Sequence, residues 1–304
     1  MPVRPLNREE IFQRFPWLQD RERLMVISTD MDGLLSAAFL HHHLDWRVTG
    51  YYDCSTLWIS EHAEEQRGRL IWVDLDVCRS GYSAIGHHIL TLDTAVPDGL
   101  GNICNPNLLA GIGAHDFTHK YPFSTILLLL WLHEINVRRD LMARLLILQA
   151  DSAWINVQHF NRNTIQWQQR LPAYDWKWLF KQVDTEQFER RMRDQLHARL
   201  ERLTGAPPTD GNPSQHLQLQ GSQLRFNPDW EEDIALGLWE LAGTYLKWSP
   251  PAAPIIHRRI EGRHYTTTLE SVTPETFPND LLEEGVFSYA VTSSKRVNFT
   301  RLDW

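Results

Sequence analysis

From residue 24 the chain runs through Leu-Met-Val-Ile and then, by way of Ser28 and Thr29, into Asp30-Met31-Asp32-Gly33. A short, unbroken apolar run of this kind reads as a strand buried on both faces. The residues behind it, LLSAAFLHHHL, read as a helix. A strand–turn–helix unit needs a sheet for its strand and a covering layer from its helix, which selects an α/β architecture. The pattern recurs. Residues 48–52 and 70–73 read as strands, the second ending in Asp74, and Ala84-Ile85 precede Gly86-His87-His88. Residues 101–104 precede Asn105-Pro106-Asn107, and 124–137 and 140–154 read as two buried helices. Strands alternating with helices imply a mostly parallel sheet. The polar residues fall at the carboxyl ends of its strands, where such sheets carry function.

Farther on, residues 186–203 form an amphipathic helix with Phe188, Met192, Leu196, Leu200 and Leu203 on one face. The Pro- and Gly-rich stretch 205–215 marks a linker or long loop. The expected organisation is an α/β domain over 1–160, a helical connector over 161–206 and a smaller α+β domain over 207–304. In that last part, 234–248 reads as a helix and 285–292 and 296–302 as strands. The 304 residues are 42% hydrophobic, enough for a sizeable core, and the 13 Trp are expected mostly inside it.

The net charge of −8 argues against tracking a long duplex. It leaves room for a small phosphorylated substrate, since bound divalent cations supply local positive charge. Cys54, Cys78 and Cys104 form no CxxC pair, so no zinc site is expected, and buried apolar roles are. No apolar leader is visible, and the longest aliphatic run, 126–132, is too short for a bilayer. A cytoplasmic protein without membrane contact is the expectation.

Two carboxylates two residues apart on a turn can address one point, which suits a hard divalent cation. By itself Asp30-x-Asp32-Gly33 admits three chemistries besides a plain helix cap. An EF-hand needs further ligands that are not placed correctly. A haloacid-dehalogenase-type phosphatase would use Asp30 as nucleophile. A two-metal hydrolase would use both aspartates as ligands.

Beyond that motif, Asp74 ends a strand, His87-His88 follow another, and Asp151 closes the helix LMARLLILQ. This ordered set resembles the DHH phosphoesterase superfamily over roughly residues 22–155. Its motifs correspond here to Asp30-Met31-Asp32-Gly33 with the small-residue helix, to Asp74, to Gly86-His87-His88 and to Asp151. Asn105-Pro106-Asn107 with Gly111-Ile112-Gly113 is similar to the NPN…GxG stretch of RecJ-type exonucleases. The third motif opens with Gly86 where the family has Asp. Val26 and Ser28 stand upstream where members often carry His or Asp; Ser28, His115 or His119 are candidates to fill that place.

The resemblance implies a phosphohydrolase acting on short oligonucleotides or small nucleotides. Asp30, Asp32, Asp74, His87 and Asp151 would hold two Mn²⁺ ions, with Mg²⁺ as the alternative. Asp74 would bridge them, and His88 would face the phosphate or protonate the leaving group. Ser36, Asn105 and Asn107 would lie at the substrate face. Lys120, ahead of a helix start, is a further phosphate candidate. Arg263 with His264, and Lys295 with Arg296, form two basic clusters, in a region without the family's GGGH motif. A DHH-like protein that binds nucleic acid or a protein partner without hydrolysis stays open as an alternative, as do the dehalogenase-type phosphatase and homo-oligomerisation.

Overall fold

The apolar runs become a mixed sheet. A computed structural model describes residues 4–79, 81–92, 96, 98–208, 211–221, 224–269, 277 and 285–304. In chain order the elements begin with Arg8–Arg14 (α1), Leu24–Ser28 (β1), Met31–Leu44 (α2), Arg47–Tyr52 (β2), Thr56–Ile59 (β3), Glu61–Glu65 (α3), Ile71–Val73 (β4), Ser83–Ile85 (β5), Ile103–Cys104 (β6) and Pro106–Ala110 (α4). Helices Thr125–Leu132 (α5), Leu141–Gln149 (α6), Ala153–His159 (α7), Asn161–Arg170 (α8), Trp176–Leu179 (α9), Glu186–Arg191 (α10), Ala198–Thr204 (α11) and Glu232–Tyr245 (α12) follow. Strands Arg258–Glu261 (β7), Arg263–Thr268 (β8), Val286–Ser293 (β9) and Arg296–Arg301 (β10) close the chain. Two compact units emerge: one of residues 7–28, 44–121 and 252–304, the other of 1–6, 29–43 and 122–251.

The first unit carries both sheets. Its seven strands lie in the order β6-β5-β4-β1-β2-β3-β7. From β6 to β2 every pairing is parallel, and β3 and β7 add antiparallel edges. The α/β class and the mostly parallel sheet expected from the sequence are therefore present. All five residues of β1 and all three of β4 are buried, as strands covered on both faces must be. Below them Trp72 packs edge-on against Tyr52, Phe287 and Trp304. A separate antiparallel sheet runs β8-β10-β9. The tryptophans are core residues for the most part; Trp230, 71% exposed, stands out.

The second unit is helical. Helix α5 is buried along its whole length, and Ser124 caps it by accepting from the Leu127 N–H. The helix expected over 124–137 ends at Leu132 instead. Glu134 takes a left-handed φ of 56°, and the Ile135 N–H closes on the Leu130 carbonyl at 3.0 Å, a helix-terminating arrangement. The helix expected over 140–154 is likewise interrupted. Asp151 and Ser152 have φ of 47° and 51°, so α6 stops and α7 starts afresh. The amphipathic segment 186–203 is helical with a π-helical turn, Met192–His197, at its middle. Trp239 of α12 donates to the Leu34 carbonyl of α2 at 2.9 Å.

The stretch 205–215, whose residues 209–210 lie outside the described ones, is exposed at 205–207 and at Gly211 and Asn212 and is pinned near its far end. Its Ser214 is 1% exposed, and Glu189 gathers it through bonds from Ser214 Oγ and the N–H groups of His216 and Leu217. Among the described residues no helix is long and apolar enough to cross a membrane.

Histidines inside this unit carry a pH signature. Burial pushes His197 down to about 4, and it pairs with Gln149 Oε1 at 3.0 Å. Burial, helped by a neighbouring histidine, does the same to His43 and His133. A lowered folded-state pKa means that the unfolded chain binds the proton first, so stability is full above about pH 6.5 and falls as pH drops towards 4. For His197 the loss should approach about 3 kcal/mol. Thermal melts at stepped pH should show that His197→Gln flattens this slope; an unchanged slope would count against the assignment.

Candidate metal centre

Four adjacent parallel strands deliver polar residues at their carboxyl ends: Ser28 from β1, Asp74 from β4, the 86–88 turn from β5 and Asn105 from β6. Neighbouring strands lie roughly 4.8 Å apart, so side chains leaving them at one level meet. Val73 pairs with Ile85 and Ile85 with Cys104, which puts Asp74, Gly86 and Asn105 on one level. Asp74 is buried, with φ at 59°, a left-handed conformation that Asp tolerates better than most residues. Its Oδ2 accepts from Ser28 Oγ at 2.6 Å, and its Oδ1 lies 3.4 Å from His87 Nδ1. Ser28 thus serves Asp74.

His87 and His88 stack with ring centroids 4.5 Å apart. The Asn-Pro-Asn residues hold their backbone. Asn105 Nδ2 donates to the His88 carbonyl at 2.8 Å, and Asn107 Nδ2 to the His87 carbonyl at 2.7 Å. Asn105 Oδ1 accepts from the Asn107 N–H, and Asn107 Oδ1 from the Tyr121 N–H. Both asparagines, expected at the substrate face, are fully buried. Their amides are taken up by the chain itself.

One residue went unread in the sequence. Asp76, 5% exposed, accepts from Asn105 Nδ2 at 3.0 Å, from the His88 N–H at 3.1 Å and from His88 Nδ1 at 2.9 Å. The sequence signal is that Asp74-Leu75-Asp76 repeats the two-residue spacing of Asp30 and Asp32.

In the helical unit, Asp32 is 1% exposed at the start of α2. Its Oδ2 accepts from the Thr125 N–H at 2.5 Å and its Oδ1 from the Ile126 N–H at 2.8 Å. With Ser124 on the next N–H, the start of α5 is capped by two side chains, and its dipole favours the carboxylate. Ser36, another expected substrate residue, is fully buried and directs its Oγ to Asp32 Oδ1 at 3.4 Å. Asp30 caps its own helix, its Oδ1 accepting from the Gly33 N–H at 3.1 Å, while its backbone bridges to Arg225. Asp151 sits on the left-handed break between α6 and α7.

Asp74 and His87 in the sheet-bearing unit, and Asp32 and Asp151 in the helical unit, are two pairs of metal-capable side chains whose ligand atoms lie within 4.8 Å inside each pair. Opposite ligands of one divalent cation are separated by roughly 4–5 Å, so each pair has the span of two ligands of one ion. Carboxylate and imidazole donors suit Mn²⁺ and, with water completing the shell, Mg²⁺. Asp30 does not belong to this set of donors. His115 and His119 are exposed and do not belong to it either.

The remaining candidates are dispersed. Lys120 is exposed, with its Nζ 4.7 Å from the Phe117 ring centre. Arg263, His264, Lys295 and Arg296 are all exposed. Arg263 opposes Arg301 at one end of the β8–β10 ladder, while Arg296 opposes Thr268 at the other, a separation of about 17 Å. The two basic clusters therefore lie at opposite ends of the ladder. Burial pushes the Cys104 thiol up to about 12 and raises Cys78 further above its ordinary value, which keeps both protonated. Cys54, expected inside, is exposed. No family model, curated protein sequence or solved structure matches the chain.

Proposed function

We propose that this chain is a metal-dependent phosphoester hydrolase of the DHH type, acting on short oligonucleotides or small nucleotides. One observation carries the reading: residues far apart in sequence come together as metal donors, Asp74 with His87 and Asp32 with Asp151, the donor atoms of each pair within 4.8 Å. In this reading they are ligands to Mn²⁺ or Mg²⁺. A cation there supplies Lewis acidity towards a phosphoryl oxygen and the attacking water. The chain does the rest. Ser28 holds the orientation of Asp74, and Asn107 and Asn105 hold the backbone of the two histidines.

His88 is the proposed proton donor or phosphate contact. Its side chain is 44% exposed. A carboxylate only accepts, so Nδ1, at 2.9 Å from Asp76, carries a proton, and Nε2 would face the substrate, donating to it when the ring carries a second proton there. Arg263 with His264 and Lys295 with Arg296 are proposed phosphate contacts; their spacing suits different phosphates of an oligonucleotide better than one. A second ion is what the family resemblance implies, and its count is a matter for titration.

A second reading, a DHH-like protein that binds a partner without hydrolysis, is favoured by Asp30, whose carboxylate caps its own helix outside the set of donors. The test is calorimetric titration with Mn²⁺ alongside hydrolysis of a panel: short DNA, short RNA, a cyclic dinucleotide, a linear dinucleotide and pyrophosphate. Mn²⁺ binding with cleavage of at least one phosphodiester, abolished by chelator, is the expected result. No binding and no cleavage would end the hydrolase reading in favour of the second.

A further inference from the structure

Gly86 is glycine for want of room. Its φ is not among the positive ones, so its backbone does not demand glycine. A Cβ built there meets the carboxylate of Asp76, 2.7 Å from Cγ and 2.8 Å from Oδ2. Side-chain carbons do not approach other heavy atoms so closely without something shifting. The space beside residue 86 is already filled by a carboxylate that arrives from the segment following β4. The register explains how. Beyond the Val73–Ile85 pair, the Leu75 N–H still bonds the Ile85 carbonyl at 3.2 Å. Asp76, one residue later, therefore enters at the level of the 86–88 turn.

The carboxylate is fully engaged there. Asp76 Oδ2 accepts from both the backbone N–H and Nδ1 of His88, and Oδ1 accepts from Asn105 Nδ2. These bonds fix the His88 ring about its side-chain torsions and select its tautomer. Asn105, bonded to both Asp76 and the His88 carbonyl, ties the same turn to β6. Three bonds to one buried anion make a rigid holder for a half-exposed ring.

We propose that Asp76 is the positioning residue for His88, and that positions 76 and 86 share one carboxylate site that either can fill but not both. The functional part of this inference rests on the hydrolase reading above; the structural part does not. A carboxylate grafted at 86 starts from a Cβ 2.7 Å from the present Cγ of Asp76, so once that side chain is removed its own carboxylate can enter the same space. Moving the acid from 76 to 86 should therefore recreate the holder, whereas placing acids at both positions crowds two charges into one buried site.

The experiment compares the full chain with Asp76→Ala, Gly86→Asp and the double variant Asp76→Ala/Gly86→Asp. The first readout is long-range ¹⁵N–¹H spectroscopy of the His88 ring without metal, at about pH 8, where imidazole is ordinarily neutral. The native chain should show the Nδ1–H tautomer. Asp76→Ala should lose it, and the double variant should regain it. The second readout is Mn²⁺-dependent hydrolysis: Asp76→Ala should lower kcat by roughly 10–100-fold, with the double variant recovering most of that loss. Gly86→Asp alone should melt below both the native chain and the double variant.

Asp76→Asn guards against misfolding of the alanine variant, since it keeps the volume but has one accepting oxygen for three donors. Its Nδ1–H population should fall. An unchanged His88 tautomer in both Asp76 variants, or a double variant no closer to native than the single, would overturn the proposal. If no substrate is cleaved by the native chain, the hydrolase reading fails, and the tautomer and melting comparisons still decide the shared carboxylate site.

Discussion

Asp74→Ala is expected to lower Mn²⁺-dependent kcat/KM by more than roughly 100-fold and to weaken Mn²⁺ binding in calorimetry. Residues that only prop a ligand typically cost about 10–100-fold, and Asp74 stands among the proposed donors themselves. Ser28→Ala should fall inside that smaller range, because Ser28 acts through its 2.6 Å bond to Asp74 Oδ2. The ordering is the informative part, since a generally damaged fold would not rank the two variants this way. Folding can be separated from ligation at the same position. Asp74 has φ of 59°, which costs a non-glycine residue about 1 kcal/mol. Asp74→Gly should therefore melt no lower than Asp74→Ala while losing as much activity. Retention of native activity by Asp74→Ala, or a larger loss in Ser28→Ala, would sink the proposed role of Asp74.

The largest stability effect is expected at Glu189. Its side chain is fully buried, yet it carries a carboxylate. It accepts from Gln158 Nε2 at 2.9 Å, Ser214 Oγ at 2.7 Å, and the N–H groups of His216 at 3.1 Å and Leu217 at 2.7 Å. Burial alone pushes its pKa up; the hydrogen bonds outweigh burial and hold it below the ordinary value. Glu189→Ala removes an acceptor from four donors, most of them out of water, which should cost about 3–5 kcal/mol. For a chain of this size, that is a fall in Tm of roughly 6–15 °C. Glu189→Gln, with a single accepting oxygen, should lie between. Because the folded-state pKa is lowered, this contribution is present above the ordinary carboxyl pKa and is lost as pH falls through the folded value. The difference between native and Glu189→Ala should therefore shrink in acid. A fall in Tm below about 2 °C near neutral pH would show that the loop after α11 is held by something else.

The loop shows the limit of composition as a guide. Pro, Gly, Asn and Asp at 205–215 speak for a chain that leaves regular structure, and it does. They say nothing about a buried glutamate in α10 that collects the loop's N–H groups. A similar gap separates Asp32 as read from Asp32 as placed. Its position on a turn after a strand is a local property and was legible. Its bonds to the start of α5, more than ninety residues away, are not local and were not. Asn105, Asn107 and Ser36 are expected from the sequence at a substrate face, and the fold sets them beside His87, His88 and Asp32. Their burial turns them inward to brace the histidines and Asp32, because an amide or hydroxyl excluded from water must find a partner in the protein.

What local sequence determined here is the α/β class, the strands with their carboxyl-end residues, and most helix starts. Apolar runs, two-residue and 3.6-residue periods and capping residues act over a few positions. Strand order, helix breaks and the pairing of distant side chains were decided in three dimensions. The unbroken helix expected over 140–154 gives way at Asp151, and β7, an exposed strand from near the end of the chain, pairs with β3. Gly86 is the clearest case. Read along the chain it is a missing aspartate. In the folded protein the place of its side chain is filled by Asp76 from the segment that follows β4, since the parallel pairing of β4 with β5 brings together stretches whose residues the sequence holds ten apart.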